Sequence, residues 1–318
     1  MIAALQLALA ALLDALIGDP PHWPHSVRLM GRLCSWLEPR LRAALHSPQE
    51  LRLAGLLLVL AVAGGFGLAA WLLLALAQSL AAPLGWLLGL LLSFQCLAAG
   101  QLWREAREVA RPLQRGELDL ARRRLAMLVG RDTQELDRAG LRRALLETLA
   151  ENLNDGVVAP LFYLALGGPA LAVAYKAINT LDSMVGYNNE QYRELGLVPA
   201  RLDDVAGWAP ARLTALIMVA ACPLLGLNAG LAWRVLCKDH AAHQSPNAGW
   251  PEAAAAGALG LRLGGPNYYD GELVEKPWLN AAGRDPMDSD LEFGLHLAQL
   301  STLIAVLLAG LAAWWLRG

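Results

Sequence analysis

Lys176, Asn179, Thr180, Ser183, Gly186, Tyr187 and Glu190 fall on one side of a helix predicted over 175–192. Ile178, Leu181, Met184 and Val185 fall on the other, with Asp182 at the edge of the polar face. A solvated face would be richer in Lys and Glu and poorer in Asn, Thr, Ser and Gly. Donors, acceptors and one cation gathered on a single face have the composition of a binding site. The apolar run Val157–Ala174 leads into this face with no charged collar between them.

Carboxylates form a second set. In ALLETLAENLNDGVVAP, Glu147, Glu151, Asn154 and Asp155 make one helical stripe. Clustered acids repel unless a cation sits among them, and hard oxygen ligands suit Mg²⁺. The plain alternative is an acidic stripe paired with the nearby arginines. GDPPHWPHSVRLMG carries Asp19, His22 and His25 in a loop stiffened by Pro20, Pro21 and Pro24, which forbid the helix that an HxxH metal site needs. Asp203 and Asp204 precede an apolar segment, where support of a helix dipole explains them as well as a site does. In SPNAGWPEAAAAGALGLRLGGPNYYDG, a short helix is predicted from near Trp250 to Gly264. Ser245, Asn247 and Gly249 would then lie over its N-terminus, where free N–H groups can hold an anion and the plain alternative is capping. Asn267, Tyr268, Tyr269, Asp270 and Lys276 come next, in a loop. No G-x-x-x-x-G-K-[ST] or G-x-G-x-x-G motif occurs in the chain.

The elements that must carry these residues are membrane helices. The 318 residues are 56% hydrophobic and 17% charged, with mean hydropathy +0.38, whereas soluble domains carry about a quarter charged residues. A net charge of −2 gives no electrostatic case for nucleic acid. Four scattered cysteines without a CxxC pair argue against a zinc site or a disulfide framework. Leu53–Ala77, Leu84–Trp103 and Leu295–Leu316 each approach the ~20 apolar residues of a crossing. The first two make an antiparallel hairpin. Ala209–Trp233 is a further candidate interrupted by Pro223, and Val157–Ala174 one interrupted by Gly167-Gly168-Pro169. The N-terminal run lacks the basic flank of a signal peptide and contains Asp14, so it is read as a retained helix.

The fold expected is an all-α polytopic membrane protein with four to six transmembrane helices. Re-entrant hairpins are expected at Gly167–Pro169 and, by extension, at Pro223. The chain reads as one integral-membrane domain over 1–318, with an Arg-rich cytoplasmic helical segment at 104–150 and a motif-bearing cytoplasmic loop segment at 236–293. Eleven arginines between Leu102 and Glu151, and five between Asp19 and Leu53, place those segments in the cytoplasm. Most of the 104–147 charges are expected to form a solvated helical pair with i,i+4 ion pairs.

Taken together, GDPPHWPHSVRLMG, ENLNDGVVAPLFYLALGG, YKAINTLDSMVGYNNEQY, RLDDVAGWAPARLTAL and SPNAGWPEAAAAGALGLRLGGPNYYDG resemble the adenosylcobinamide-phosphate synthase family of bacterial cobalamin biosynthesis, the CbiB/CobD membrane proteins. The resemblance implies an acid–amine ligase of the bacterial inner membrane, using ATP and Mg²⁺, with its active face in the cytoplasm. It implies adenosylcobyric acid and aminopropanol phosphate as substrates, the lipid bilayer as surroundings, and other membrane enzymes of late cobalamin assembly as partners. Within that set, Asp182, Lys176, Glu151 and Asp155 are the expected catalytic groups. Asp19, Asp182 and Asp204 are expected to contact Mg²⁺. Asn179, Ser183, Tyr187, Ser245, Asn247, Asn267, Tyr268 and Lys276 are expected to hold substrate or phosphate. Two other classes compete: a transporter, which would also use polar residues on broken helices, and a non-catalytic relative of the β-lactamase-regulation type.

Overall fold

The computed structural model describes residues 1–20, 22–269 and 271–317; Pro21, Asp270 and Gly318 lie outside the described residues. The chain is helical nearly throughout. In order come α1 (Ile2–Ile17), α2 (Ser26–Ala44), α3 (Pro48–Val59), a π-helical turn Leu60–Gly64, α4 (Gly65–Leu80) and α5 (Ala82–Cys96). After these come α6 (Ala99–Arg115), α7 (Leu118–Leu125), α8 (Arg138–Leu153), a second π-helical turn Asn154–Val158 and α9 (Ala159–Val185). The last part holds α10 (Leu197–Ala221), α11 (Ala229–Asp239), α12 (Gly249–Leu259), four short strands and α13 (Asp288–Arg317).

Five helical stretches are long and apolar enough to cross a membrane: Pro48–Leu80, Ala82–Arg115, Arg138–Val185, Leu197–Leu225 and Asp288–Arg317. The apolar α1 is shorter. This is the pattern of a multi-pass membrane protein, within the four to six crossings expected.

The contacts divide the chain into two compact units, Met1–Ala98 with Ala159–Gly207 and Val306–Gly318, and Ala99–Val158 with Trp208–Ala305. In the first unit, α4 and α5 fold back on each other across the single extended residue Ala81, so that Gly85 faces Gln78. Gly67 lies so near Ala174 that a Cβ there would stand 2.9 Å from the alanine's own. Small residues thus let α4 and α9 approach closely, as membrane helix pairs require.

The expected break in α9 is present. Gly168 has φ 75° and ψ −165°, a conformation open essentially to glycine alone. The rings of Tyr163 and Tyr175 stack with centroids 4.8 Å apart, whereas twelve residues of straight helix would separate them by about 18 Å. The chain therefore doubles back at Gly168, and its two arms pack against each other. Arg317 donates to the Leu164 carbonyl at 3.0 Å, and its guanidinium would stand 2.6 Å from a Cβ on Gly168. Gly168→Ala is expected to lower stability by about 1–3 kcal/mol and displace Arg317, read as a fall in melting temperature of the detergent-solubilised protein. An unchanged melting temperature would show that the turn tolerates a side chain.

Four expectations are corrected. The helix predicted over 175–192 stops at Val185, so Tyr187 and Glu190 lie beyond it in irregular chain. Gly186 closes the end by donating to the Asp182 carbonyl. The helix predicted to end at Gly264 ends at Leu259, where Gly260 turns left-handed at φ 67°. Beyond it the chain is not plain loop: Leu263–Gly264 pairs antiparallel with Trp278–Leu279, and Asn267–Tyr269 with Glu272–Val274. Nor are the 104–147 arginines merely solvated neighbours in a helical pair. Arg138 and Arg142 both reach Asp288 at 2.7 Å, far along the chain. Pro223 does end α10, in a 3₁₀ turn closed by left-handed Gly226, and Asn228 caps α11 after it.

Candidate functional site

In the second unit, α8 is buried along most of its length and carries Glu147 inward. A buried carboxylate needs partners, and Glu147 has two strong ones. Arg131, from the chain between α7 and α8, pairs with it at 2.7 Å. The backbone N–H of Gly264, on the first short strand, donates to its other oxygen at 2.6 Å. Arg131 also donates to Asn267 Oδ1 at 3.2 Å, and the Asn267 amide donates to the Gly265 carbonyl at 3.0 Å. The two short β-ribbons therefore present Gly264 and Asn267 to the α8 ion pair.

Around this pair lies a pocket lined by Arg131, Glu147, His243, Glu252, Asn267 and Lys276. Its cavity of about 20 Å³ is about the room one water needs. Lys276 Nζ stands 4.3 Å over the Tyr269 ring and bonds its hydroxyl. The N–H of Ser245 donates to His243 Nδ1 at 3.0 Å, which leaves Nε2 to carry the proton and face Glu252 Oε1 at 3.6 Å. Burial keeps the His243 pKa below its usual value, so the ring is neutral. Glu151 is exposed, yet within electrostatic reach of Asp155, Arg131, Glu147 and Lys276. Asp155 accepts from Asn154 at 2.7 Å, and Asn154 accepts from Thr214 at 2.9 Å. The π-helical turn there is a form of backbone frequent at functional sites.

Burial first, then the Glu147 and Glu151 carboxylates, hold the Glu252 carboxyl well above its ordinary range. The folded protein thus binds this proton more tightly than the unfolded chain does. The resulting stability is fully present below the ordinary glutamate range and is lost as pH rises toward the raised folded value. Glu252→Gln keeps the shape and removes that loss. Its melting temperature should gain on wild type steadily from pH 5 to pH 9. A pH-independent difference would mean that Glu252 ionises as readily folded as unfolded.

Ser245 lies in the turn before α12, whose N-cap Ala248 has no side-chain cap. Its hydroxyl accepts from the Asn247 and Ala248 N–H groups at 3.2 and 3.1 Å, so those two donors are turned to Ser245 rather than outward. Asn247 is buried and Tyr268 half exposed, its carbonyl accepting from Asp132.

In the first unit a second cluster forms where the loop before α2 meets α9. Asp19 pairs with Arg28 at 2.7 Å and stands 3.9 Å from His25, which caps α2 by accepting from Val27. His25 lies within electrostatic reach of Lys176, and its pKa is lowered by burial, against the pull of Asp19. Lys176 reaches Asn179 at 3.5 Å, and Asn179 is buried rather than solvated. Ser183 spends its hydroxyl on the Asn179 carbonyl at 2.9 Å. Tyr187 is exposed, beside Tyr192. Asp204 is placed on α10 near Arg201, at 3.9 Å. Among the described residues no group of three or more His, Cys, Asp or Glu has the arrangement of a metal centre.

The family profile described as CobD/Cbib protein matches residues 7–298, which takes in both clusters. The chain belongs to the CobD/CbiB family. It is 48% identical over 309 residues to the cobalamin biosynthesis protein CobD of Klebsiella pneumoniae, covering 97% of each chain. It is 46% identical over 310 residues to CbiB of Salmonella arizonae, covering 98% of this chain and 97% of that one. CobD of Photorhabdus laumondii is 45% identical over 309 residues, 97% of each. No solved structure matches the chain. Arg131, His243 and Glu252 are not among the expected site residues, although Glu252 lies inside the segment SPNAGWPEAAAAGALGLRLGGPNYYDG. Arg131 is one of eleven arginines in its stretch and had no distinguishing signal. Glu252 had one: it is the lone charge in the short helix GWPEAAAAGAL.

Proposed function

We propose that this member of the CobD/CbiB family acts in cobalamin biosynthesis as an ATP- and Mg²⁺-dependent amide ligase. It joins adenosylcobyric acid to aminopropanol phosphate at the cytoplasmic face of the bacterial inner membrane. The observation that carries the reading is the pocket around Arg131, Glu147 and Lys276, set inside a full-length match to relatives named as cobalamin biosynthesis proteins.

Amide formation from a carboxylate needs activation. In the proposed sequence a propionate oxygen attacks the γ-phosphorus of ATP, releasing ADP and giving an acyl phosphate. The amine nitrogen then attacks the acyl carbon, the C–O bond to phosphate breaks, and inorganic phosphate and a proton leave. Charge moves onto phosphoryl oxygens in the first step, which cations must offset. Lys276 supplies one; Arg131, already tied to Glu147, supplies direction more than free charge. Glu151 and Asp155 are the carboxylates in this unit suited to Mg²⁺ of the nucleotide complex, and Asp19 and Asp182 those of the first unit. His243, with Nδ1 accepting from Ser245 and its Nε2 proton facing Glu252, orients that carboxyl rather than taking up the amine proton. With a cavity of about 20 Å³, the pocket must open before a nucleotide could enter.

The test is direct. Purified protein with adenosylcobyric acid, aminopropanol phosphate and Mg-ATP should yield a corrin heavier by the amine less one water, with one ADP per amide. No mass change in the corrin, in protein that remains folded, would overturn the ligase reading.

A further inference from the structure

The outward face of α2 contributes no residue to the pocket around Arg131 and Glu147, yet it is built to an unusual pattern. At 100° per residue, Arg28, Arg32, Trp36, Leu29 and Arg40 share one arc of the helix. Trp36 and Leu29 are about half exposed there, at 53% and 49%. Arg40 lies over the Trp36 ring at 4.1 Å. Arg28, Gly31, Arg32, Ser35, Trp36 and Arg40 line an open groove of about 640 Å³. The one acid on α2, Glu38, lies on the opposite side and is paired with Arg42. Among the described residues Arg32 has no ion-pair partner.

The position of this helix says what meets the groove. α2 comes after the apolar α1 and precedes Pro48–Leu80, a stretch fit to cross a membrane. Its C-terminal end thus leads within a few residues into a stretch fit to cross a membrane, its N-terminal end follows a short apolar helix, and its inner side packs on α9, with Met30 and Cys34 buried. A helix of 19 residues, about 28 Å long, is thereby held near the bilayer surface with guanidinium groups, an indole and a leucine facing out. Arg with Trp and Leu on one face is the composition of an interfacial helix on anionic lipid.

We infer that the α2 groove is a site for the phosphate of anionic phospholipid headgroups, with Arg32 and Arg40 on the phosphate and Trp36 and Leu29 at the acyl boundary. An open, shallow groove with alternating apolar and cationic side chains suits a headgroup approached from the membrane. A soluble phosphate compound would need enclosure and more donors. This inference does not depend on the ligase reaction.

Native mass spectrometry of the full-length detergent-purified protein, offered phosphatidylglycerol and phosphatidylcholine in equal amounts, tests it. Wild type should retain phosphatidylglycerol preferentially. Arg32→Gln/Arg40→Gln should reduce that preference by about 25-fold, at about fivefold per arginine near an anionic surface, while Arg32→Lys/Arg40→Lys should keep most of it. The lysine variant and an unchanged melting temperature guard against mere unfolding. Equal preference in wild type and the glutamine variant would place the lipid elsewhere. Displacement of the lipid by inorganic phosphate or ADP at millimolar concentration would make the groove a site for soluble anions and overturn the inference.

Discussion

Arg131→Met should destabilise the protein by about 3–5 kcal/mol, the cost of stranding one member of a buried ion pair. The variant leaves Glu147, only 3% exposed, with the Gly264 N–H as its remaining strong partner. It also removes the donor to Asn267, loosening the ribbon that carries Gly264. The two losses share one network and should not add independently. Arg131→Met/Glu147→Leu removes both charges and should recover much of the lost stability, since apolar pairs of similar volume often replace buried ion pairs at little cost. Melting temperatures of the four proteins in one detergent give the cycle. A single variant as stable as wild type would show that Glu147 does not depend on Arg131.

Arg131 also marks where sequence reasoning stops. The membrane helices are legible because twenty apolar residues have few other uses in a chain. The reversal at Gly168 is legible because Gly-Gly-Pro interrupts a stretch too short to cross before the break. Both signals are local. The partners of Arg131 lie at Glu147 and Asn267, 16 and 136 positions away, and nothing local separates this arginine from its ten neighbours. Two other expectations fail for a related reason. The polar face of α9 reads on to Tyr192, because period alone cannot see Gly186 closing the helix at Val185. The stretch after Gly260 reads as helix to Gly264 and loop beyond it, because strands of two or three residues leave no alternation to detect. Ser245 is legible as a helix-terminus residue. Whether it leaves N–H groups open to an anion depends on the direction of one hydroxyl, which accepts from Asn247 and Ala248.

The same network implies a second large effect, on rate rather than stability. Lys276 is the cation of the pocket whose charge is least committed: its companion is the aromatic ring and hydroxyl of Tyr269, whereas Arg131 is held by Glu147. If phosphoryl transfer occurs there, Lys276 offsets charge that develops only as the reaction proceeds. Lys276→Met keeps much of the apolar stem and its packing on Tyr269 but removes the charge. Ligase turnover should fall by about a hundredfold, equivalent to ~2.7 kcal/mol of transition-state stabilisation, with a melting temperature close to wild type. Lys276→Arg should restore part of the rate, because a cation returns with different reach. Lys238→Met, on the exposed side of α11, should leave turnover unchanged and serves as the control. The comparison also separates this pocket from the α9 cluster. Loss at Lys176→Met with none at Lys276→Met would move the chemistry to the first unit, where Lys176 lies near His25 and Asn179.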